Sequence, residues 1–162
     1  ALVGDPDLLF LDEPTTGLDP QSRRQLWDLV NGLRTEGRSV LLTTHYMDEA
    51  ERLCDRVGIV DRGKMIALGT PSELIASLGG QEVVELATDR ALDEAPLAGL
   101  RGVRAVRPVA GAWALTVDEV HVSIPALLEH LGTLGAPLTR LSTHHATLED
   151  VFVALTGRQL RE

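Results

Sequence analysis

Apolar positions come in short bursts separated by turn residues along the whole chain. Leu8-Leu9-Phe10-Leu11 is an uninterrupted apolar run that stops at Asp12-Glu13-Pro14. Continuous rather than alternating apolarity predicts a strand buried on both faces of a parallel sheet. The stretch from Pro14 to Pro20 carries Gly17 between two prolines and reads as a loop. Asp19 is placed to cap a helix that has Pro20 in its first position. Leu26, Leu29, Val30 and Leu33 follow at helical spacing, and Gly37 closes the turn. Residues 39–44 form a second buried strand that ends at His45. Strand, helix and strand make one βαβ unit, with parallel strands and a right-handed crossover. A second helix is predicted from Met47 to about Leu53, with Asp48, Glu49 and Glu51 where the helix dipole favours acids.

Residues 57–60 and 65–68, joined by Asp61-Arg62-Gly63-Lys64, predict a hairpin. Thr70-Pro71-Ser72-Glu73 opens a short helix to Leu78. Gly79-Gly80 is the expected domain boundary, dividing 1–78 from 82–162 with 79–81 as a linker. Beyond it, strands are expected at 83–87, 103–109, 113–117 and 138–142, and helices at 92–100, 125–134 and 147–155, the last capped by Thr147. The order βαββαβ plus a helix predicts a small α+β, ferredoxin-like C-terminal domain.

Composition narrows the classes. The 162 residues are 44% hydrophobic and 24% charged, an ordinary globular balance that argues against a disordered chain. The formal net charge of −9 argues against a nucleic-acid module held by bulk charge. The longest apolar run, Val151-Phe152-Val153-Ala154-Leu155, is five residues, so no transmembrane helix is expected. Cys54 is the single cysteine, which excludes an internal disulfide framework and fits a reducing compartment. The first residue is Ala1 and no signal-like segment follows, so the chain is expected to be a fragment whose N-terminal part is missing.

Asp12 and Glu13 are the informative pair. They stand at the carboxyl end of a buried parallel strand, where α/β sheets place ligands. Neighbouring strand residues point to opposite faces, so one carboxylate can serve a Mg²⁺ shell while the other faces a reacting phosphate. Mg²⁺ keeps several waters and takes one or two carboxylates plus substrate phosphates, a role that suits Asp12. Glu13 is suited to orient or deprotonate an attacking water, help worth about 10²–10⁴ in rate. The plain alternative is two solvated acids at a strand end. His45, at the end of the neighbouring strand, can reach the same rim and donate a hydrogen bond to a phosphate oxygen. Its plain alternative is a histidine that satisfies a local acid.

Taken together, Leu8-Leu9-Phe10-Leu11-Asp12-Glu13-Pro14, Gly17-Leu18-Asp19-Pro20 and Thr43-Thr44-His45 resemble the ATP-binding subunit of an ABC transporter. In that family the first string is the Walker B motif with the catalytic glutamate, the second the D-loop and the third the switch histidine. Thr44-His45-Tyr46-Met47-Asp48-Glu49-Ala50-Glu51 and the ending Ala146-Thr147-Leu148-Glu149-Asp150-Val151-Phe152 are similar to the daunorubicin- and multidrug-resistance exporters. The resemblance implies a partial P-loop NTPase, a RecA-like three-layer parallel sheet lacking its Walker A half. It implies ATP and Mg²⁺, with Asp12 holding the metal through water and Glu13 as the general base. His45 would contact the γ-phosphate, and Asp19 would lie where two nucleotide-binding domains meet. The implied partners are a transmembrane permease and a second nucleotide-binding domain, a homodimer being expected, on the cytoplasmic face of the membrane. The implied function is drug or antibiotic efflux.

No Walker A, Q-loop glutamine or signature motif precedes Asp12, so this chain alone is expected neither to bind ATP tightly nor to hydrolyse it. Gly58 to Lys64 fits G-x-x-x-x-G-K, but Met65 replaces the Ser/Thr that ligands Mg²⁺ and the string falls in the expected hairpin. His144-His145 lack an acid or cysteine at ligand spacing, and Cys54, Trp27 and Trp113 read as packing residues. Two other readings stand beside the exporter: a soluble ABC ATPase not coupled to transport, and a non-catalytic dimerisation or regulatory module.

Overall fold

The computed structural model describes residues 6–109 and 111–157. By contacts the chain forms two compact units, Ala1–Val57 and Gly58–Glu162. This division falls ahead of the 79–81 segment expected to separate domains, because residues 58–78 gather with the C-terminal part.

The first unit runs β1 (Leu8–Asp12), α1 (Pro20–Thr35), β2 (Ser39–Thr43) and α2 (Met47–Leu53). β1 and β2 pair parallel, from Leu8 opposite Ser39 to Asp12 opposite Thr43. A parallel pair needs a long crossover, and α1 supplies it. The helix starts where the sequence predicts: Asp19 Oδ1 accepts the backbone N–H groups of Gln21 at 2.9 Å and Ser22 at 3.1 Å, with Pro20 in the first turn. It ends in a Schellman turn, with Gly37 N–H donating to Arg34 O and Arg38 N–H to Leu33 O. Gly37 sits at φ +84°, the left-handed region that glycine adopts without strain.

The buried stripe of α1 is Trp27, Val30 and Leu33. Leu29, expected in that stripe, is 47% exposed. The core joins Trp27, Val30 and Leu53 to Leu11, Val40, Leu42 and Cys54. All three strand residues belong to one face of the β1–β2 pair. The other face carries Leu8, Phe10 and Leu41, which are exposed, Phe10 at 71%. The expectation of strands buried on both faces is therefore corrected. The helices of this unit pack on one face only, and burial alternates along both strands accordingly.

The second unit opens with β3 (Val57–Asp61) and β4 (Lys64–Gly69), a two-stranded sheet. Arg62 and Gly63 turn the chain with φ of 49° and 74°, the double positive φ of a tight hairpin turn. The Gly58-to-Lys64 string thus lies on a strand, a turn and a strand, with no helix N-terminus to receive phosphate. α3 (Pro71–Ala76) follows, opened by a capping box between Thr70 and Glu73. Then come β5 (Glu82–Thr88), α4 (Glu94–Ala98), β6 (Val103–Val109), β7 (Ala112–Val117), α5 (Val120–Leu134), β8 (Leu138–His145) and α6 (Leu148–Thr156).

The four strands lie in the order β6-β7-β5-β8, and every neighbouring pair is antiparallel. One core packs Val84, Leu86, Leu115 and Val117 of the sheet against Leu97 of α4 and Leu127 and Leu131 of α5. A second holds Val83, Val109, Ala114 and Ala146, with Ile75 and Leu78 against it. Gly80 passes so close to β7 that a Cβ there would lie 2.7 Å from the Val117 carbonyl oxygen. Gln81 O accepts the Ala146 N–H at 2.9 Å, which ties the same segment to the chain beyond β8.

Two boundaries differ from expectation. The helix expected at 92–100 shortens to α4. The helix expected to start at Pro125 starts at Val120 instead, with Pro125 inside it. Val120-His121-Val122-Ser123-Ile124 is β-branched and alternating, so its local preference is for a strand. Burial of Leu127 and Leu131 overrides that preference and draws the earlier residues into the helix.

Candidate functional site

The ends of β1 and β2 are joined by one hydroxyl. Asp12 and Thr43 are the last residues of their strands and lie directly opposite each other. Thr43 Oγ1–H donates to Asp12 Oδ1. Thr43 Oγ1 in turn accepts the Glu13 N–H at 3.1 Å, and Thr43 O accepts it at 3.0 Å. Thr43 therefore fixes the Asp12 carboxylate and the Glu13 backbone together.

Glu13 takes φ of 42°, an uncommon conformation for a residue with a Cβ. The chain turns sharply there, and the side chain leaves the strand direction towards His45. His45 Nδ1 lies 3.3 Å from Glu13 Oε1, and Thr16 Oγ1–H donates to Glu13 Oε2 at 3.3 Å. The Glu13 side chain is 50% and that of His45 36% exposed, so both remain open to a ligand. His45 is backed by Tyr46, whose ring centroid is 4.2 Å away at a tilt of 39°. The Tyr46 N–H donates to Thr44 Oγ1 at 3.0 Å, which fixes the turn between β2 and α2.

The structure thus brings Asp12, Glu13 and His45 to one rim. Asp19 is used differently: its carboxylate caps α1 and accepts the Ser22 hydroxyl at 2.6 Å. The Ser22 hydroxyl, with the N–H groups of Ser22 and Gln21, holds the Asp19 carboxyl below the usual carboxylate range. Sequence reasoning missed Thr43 and Thr16. The parallel register that pairs Thr43 with Asp12 was the available signal. It also read Trp27 as packing alone, whereas Trp27 Nε1–H donates to the buried Glu49 Oε1 at 3.0 Å.

A metal would meet a sparse donor set. Among the described residues no three His, Cys, Asp or Glu side chains are gathered as a metal cage. Asp12, exposed at the strand end, fits an ion that keeps most of its waters and takes the rest of its shell from phosphate. His144 and His145 diverge: His144 Nε2 lies 3.2 Å from Asp150 Oδ2, and His145 Nδ1 lies 2.8 Å from Glu82 Oε1.

Comparison with known proteins places this rim in context. A family model described as "AAA domain, putative AbiEii toxin, Type IV TA system" matches residues 1–47. The chain is 44% identical over 165 residues to the "Nod factor export ATP-binding protein I" of Cupriavidus pinatubonensis, covering 100% of this chain and 48% of that protein. It is 39% identical over 173 residues to the "Linearmycin resistance ATP-binding protein LnrL" of Bacillus subtilis, covering 100% and 53%. Over its full length the chain is similar to ABC-transporter ATP-binding proteins. Another relative is the "Daunorubicin/doxorubicin resistance ATP-binding protein DrrA" of Streptomyces peucetius, 44% identical over 162 residues and covering 97% of this chain and 48% of that one.

The chain spans about half the length of the curated relatives it matches. A solved structure titled "Structure of ATP binding subunit of ABC transporter" is 36% identical, covers 46% of this chain and 31% of that chain, and superimposes with a TM-score of 0.43. The chain has an α/β architecture, and Asp12, Glu13, Asp19 and His45 all lie inside the span 1–47 that the family model matches.

Proposed function

We propose that this chain is the C-terminal part of the ATP-hydrolysing subunit of an ABC-type exporter for drugs or antibiotics. The observation that carries the reading is the contact of Glu13 with His45 beside Asp12, delivered by two adjacent parallel strands. Asp12 would hold Mg²⁺ through water, and the ion would offset charge on the substrate phosphates. Glu13 orients or deprotonates the attacking water. His45 Nδ1 faces Glu13, and in the doubly protonated ring, where both nitrogens donate, Nε2 is left to donate to a γ-phosphate oxygen. Asp19, on the loop that opens α1, lies at the contact between two nucleotide-binding domains.

The parallel β1–β2 pair is read as the edge of a RecA-like P-loop sheet whose Walker A half is not in this sequence. The β6-β7-β5-β8 order, antiparallel throughout, supports a ferredoxin-like C-terminal domain with a regulatory or dimer-supporting role. The partners are a transmembrane permease and a second copy of the subunit, at the cytoplasmic face of the membrane. Among the described residues no helix is long and apolar enough to cross a membrane.

The test is Mg²⁺-dependent phosphate release from ATP by the full gene product and by the 162-residue chain. The reading expects turnover by the first, lost in Glu13→Gln, and none by the second. Unchanged turnover in Glu13→Gln refutes the site, and robust turnover by the chain alone refutes the division of labour.

A further inference from the structure

His45 lies two residues beyond β2, and the structure holds the segment behind it by two side-chain pairs in step. Arg23 and Trp27 are one turn apart on α1 and share a face. Tyr46 is the N-cap of α2 and Glu49 lies three residues on, so they too share a face. The Arg23 guanidinium carbon stands 4.4 Å from the Tyr46 ring centre, a cation–π contact. One turn later, Trp27 Nε1–H donates to Glu49 Oε1 at 3.0 Å.

Glu49 is fully buried. Its Oε2 and the buried Arg23 Nε have no hydrogen-bond partner. Buried carboxylates are costly unless paired, and an apolar side chain at position 49 would fill the core at lower cost. In some proteins a buried polar pair of this kind fixes the register of two elements rather than adding stability. What it registers here is α2 against α1, and with α2 the Tyr46 ring and the His45 imidazole tilted against it.

We infer that Arg23 and Trp27 are positioning residues that act through Tyr46 and Glu49 to hold His45 against Glu13. Neither touches the reacting atoms. The inference rests on the reading of Asp12, Glu13 and His45 as the hydrolytic site. A displacement of His45 by about 1 Å is enough to lower turnover by one to two orders of magnitude.

The test uses the full gene product carrying carbon-13-labelled histidine. Trp27→Phe keeps the ring and deletes the indole donor. Turnover is expected to fall about tenfold with KM for ATP changed by less than about twofold, the pattern of a lost transition-state contact. Glu49→Leu should match Trp27→Phe, whereas Glu49→Gln, which keeps an acceptor oxygen, should lose no more than about twofold. The His45 ring resonance should shift in Trp27→Phe while those of His121, His130, His144 and His145 stay in place. Should Trp27→Phe fail to fold, Arg23→Gln on the less buried pair carries the test, with a fall of about threefold in turnover expected.

Turnover and the His45 resonance both unchanged in a folded variant overturn the inference. So does a loss in Glu49→Gln as large as in Glu49→Leu. If the wild-type protein does not turn over ATP, the hydrolytic reading fails. The His45 resonance in Trp27→Phe then decides the clamp by itself: a shift upholds it and none overturns it.

Discussion

Replacing Asp150 by alanine tests how the C-terminal unit holds its last helix. Asp150 Oδ2 accepts both the backbone N–H and the hydroxyl of Thr147 at 3.0 Å, which caps α6. Its Oδ1 accepts from Arg107 Nη2 of β6, and His144 Nε2 lies 3.2 Å from Oδ2. The side chains of Arg107 and Asp150 are 17% and 7% exposed, so water screens the pair weakly. Loss of a helix cap costs about 1 kcal/mol. Leaving one member of a buried pair without its partner costs about 3–5 kcal/mol. One carboxylate serves both roles, so the costs overlap, and about 3 kcal/mol is expected for Asp150→Ala.

With a urea slope of about 1–3 kcal/mol/M for a small domain, the unfolding midpoint should drop by roughly 1–3 M. The assay is urea denaturation of the chain followed by circular dichroism. Most of the cost comes from the stranded guanidinium. Arg107→Met placed in the Asp150→Ala background should therefore restore about 1–2 kcal/mol, whereas in the wild type it destabilises. A loss below about 0.5 kcal/mol for Asp150→Ala, or equal effects of Arg107→Met in the two backgrounds, refutes the reasoning.

In the full gene product, His45→Ala should lower kcat by about 10²–10³ while KM for ATP moves little, measured by steady-state phosphate release. Asp19 is a case of a carboxyl held below its unfolded value, so its cap stabilises α1 above the ordinary carboxylate pKa. That stability fades as pH falls through the lowered folded-state pKa. Asp19→Asn keeps the cap but cannot titrate, so its acid unfolding curve should be flatter than the wild type's on this limb. Burial first, then the charge of Glu49, pushes the Cys54 thiol up. Its alkylation by iodoacetamide at pH 8 should be slower than that of a free cysteine and should go on rising with pH past the range where free cysteine levels off.

Local chemistry was enough for the helix start at Asp19-Pro20, the turn at Gly37 and the hairpin around Arg62-Gly63. Each depends on a backbone conformation that only a few residue types favour, and those residues are adjacent in the chain. The candidate site was legible for a related reason. An apolar run ending in two acids, then a helix, then an apolar run ending in His45 reads as a βαβ unit, whose parallel strands can end on one rim.

Three features depended on side chains that are distant in sequence. Thr43 acquires its role because strand register sets it opposite Asp12. The start of α5 moves back to Val120 because burial of its later turns outweighs the strand preference of its first residues. Glu49 reads from the sequence as an acid placed where the helix dipole favours it, yet it is fully buried against Trp27, twenty-two positions away. Local preferences act over a few bonds and can be read residue by residue. Register, burial and the pairing of polar groups depend on which faces meet, and only the folded chain brings those faces together.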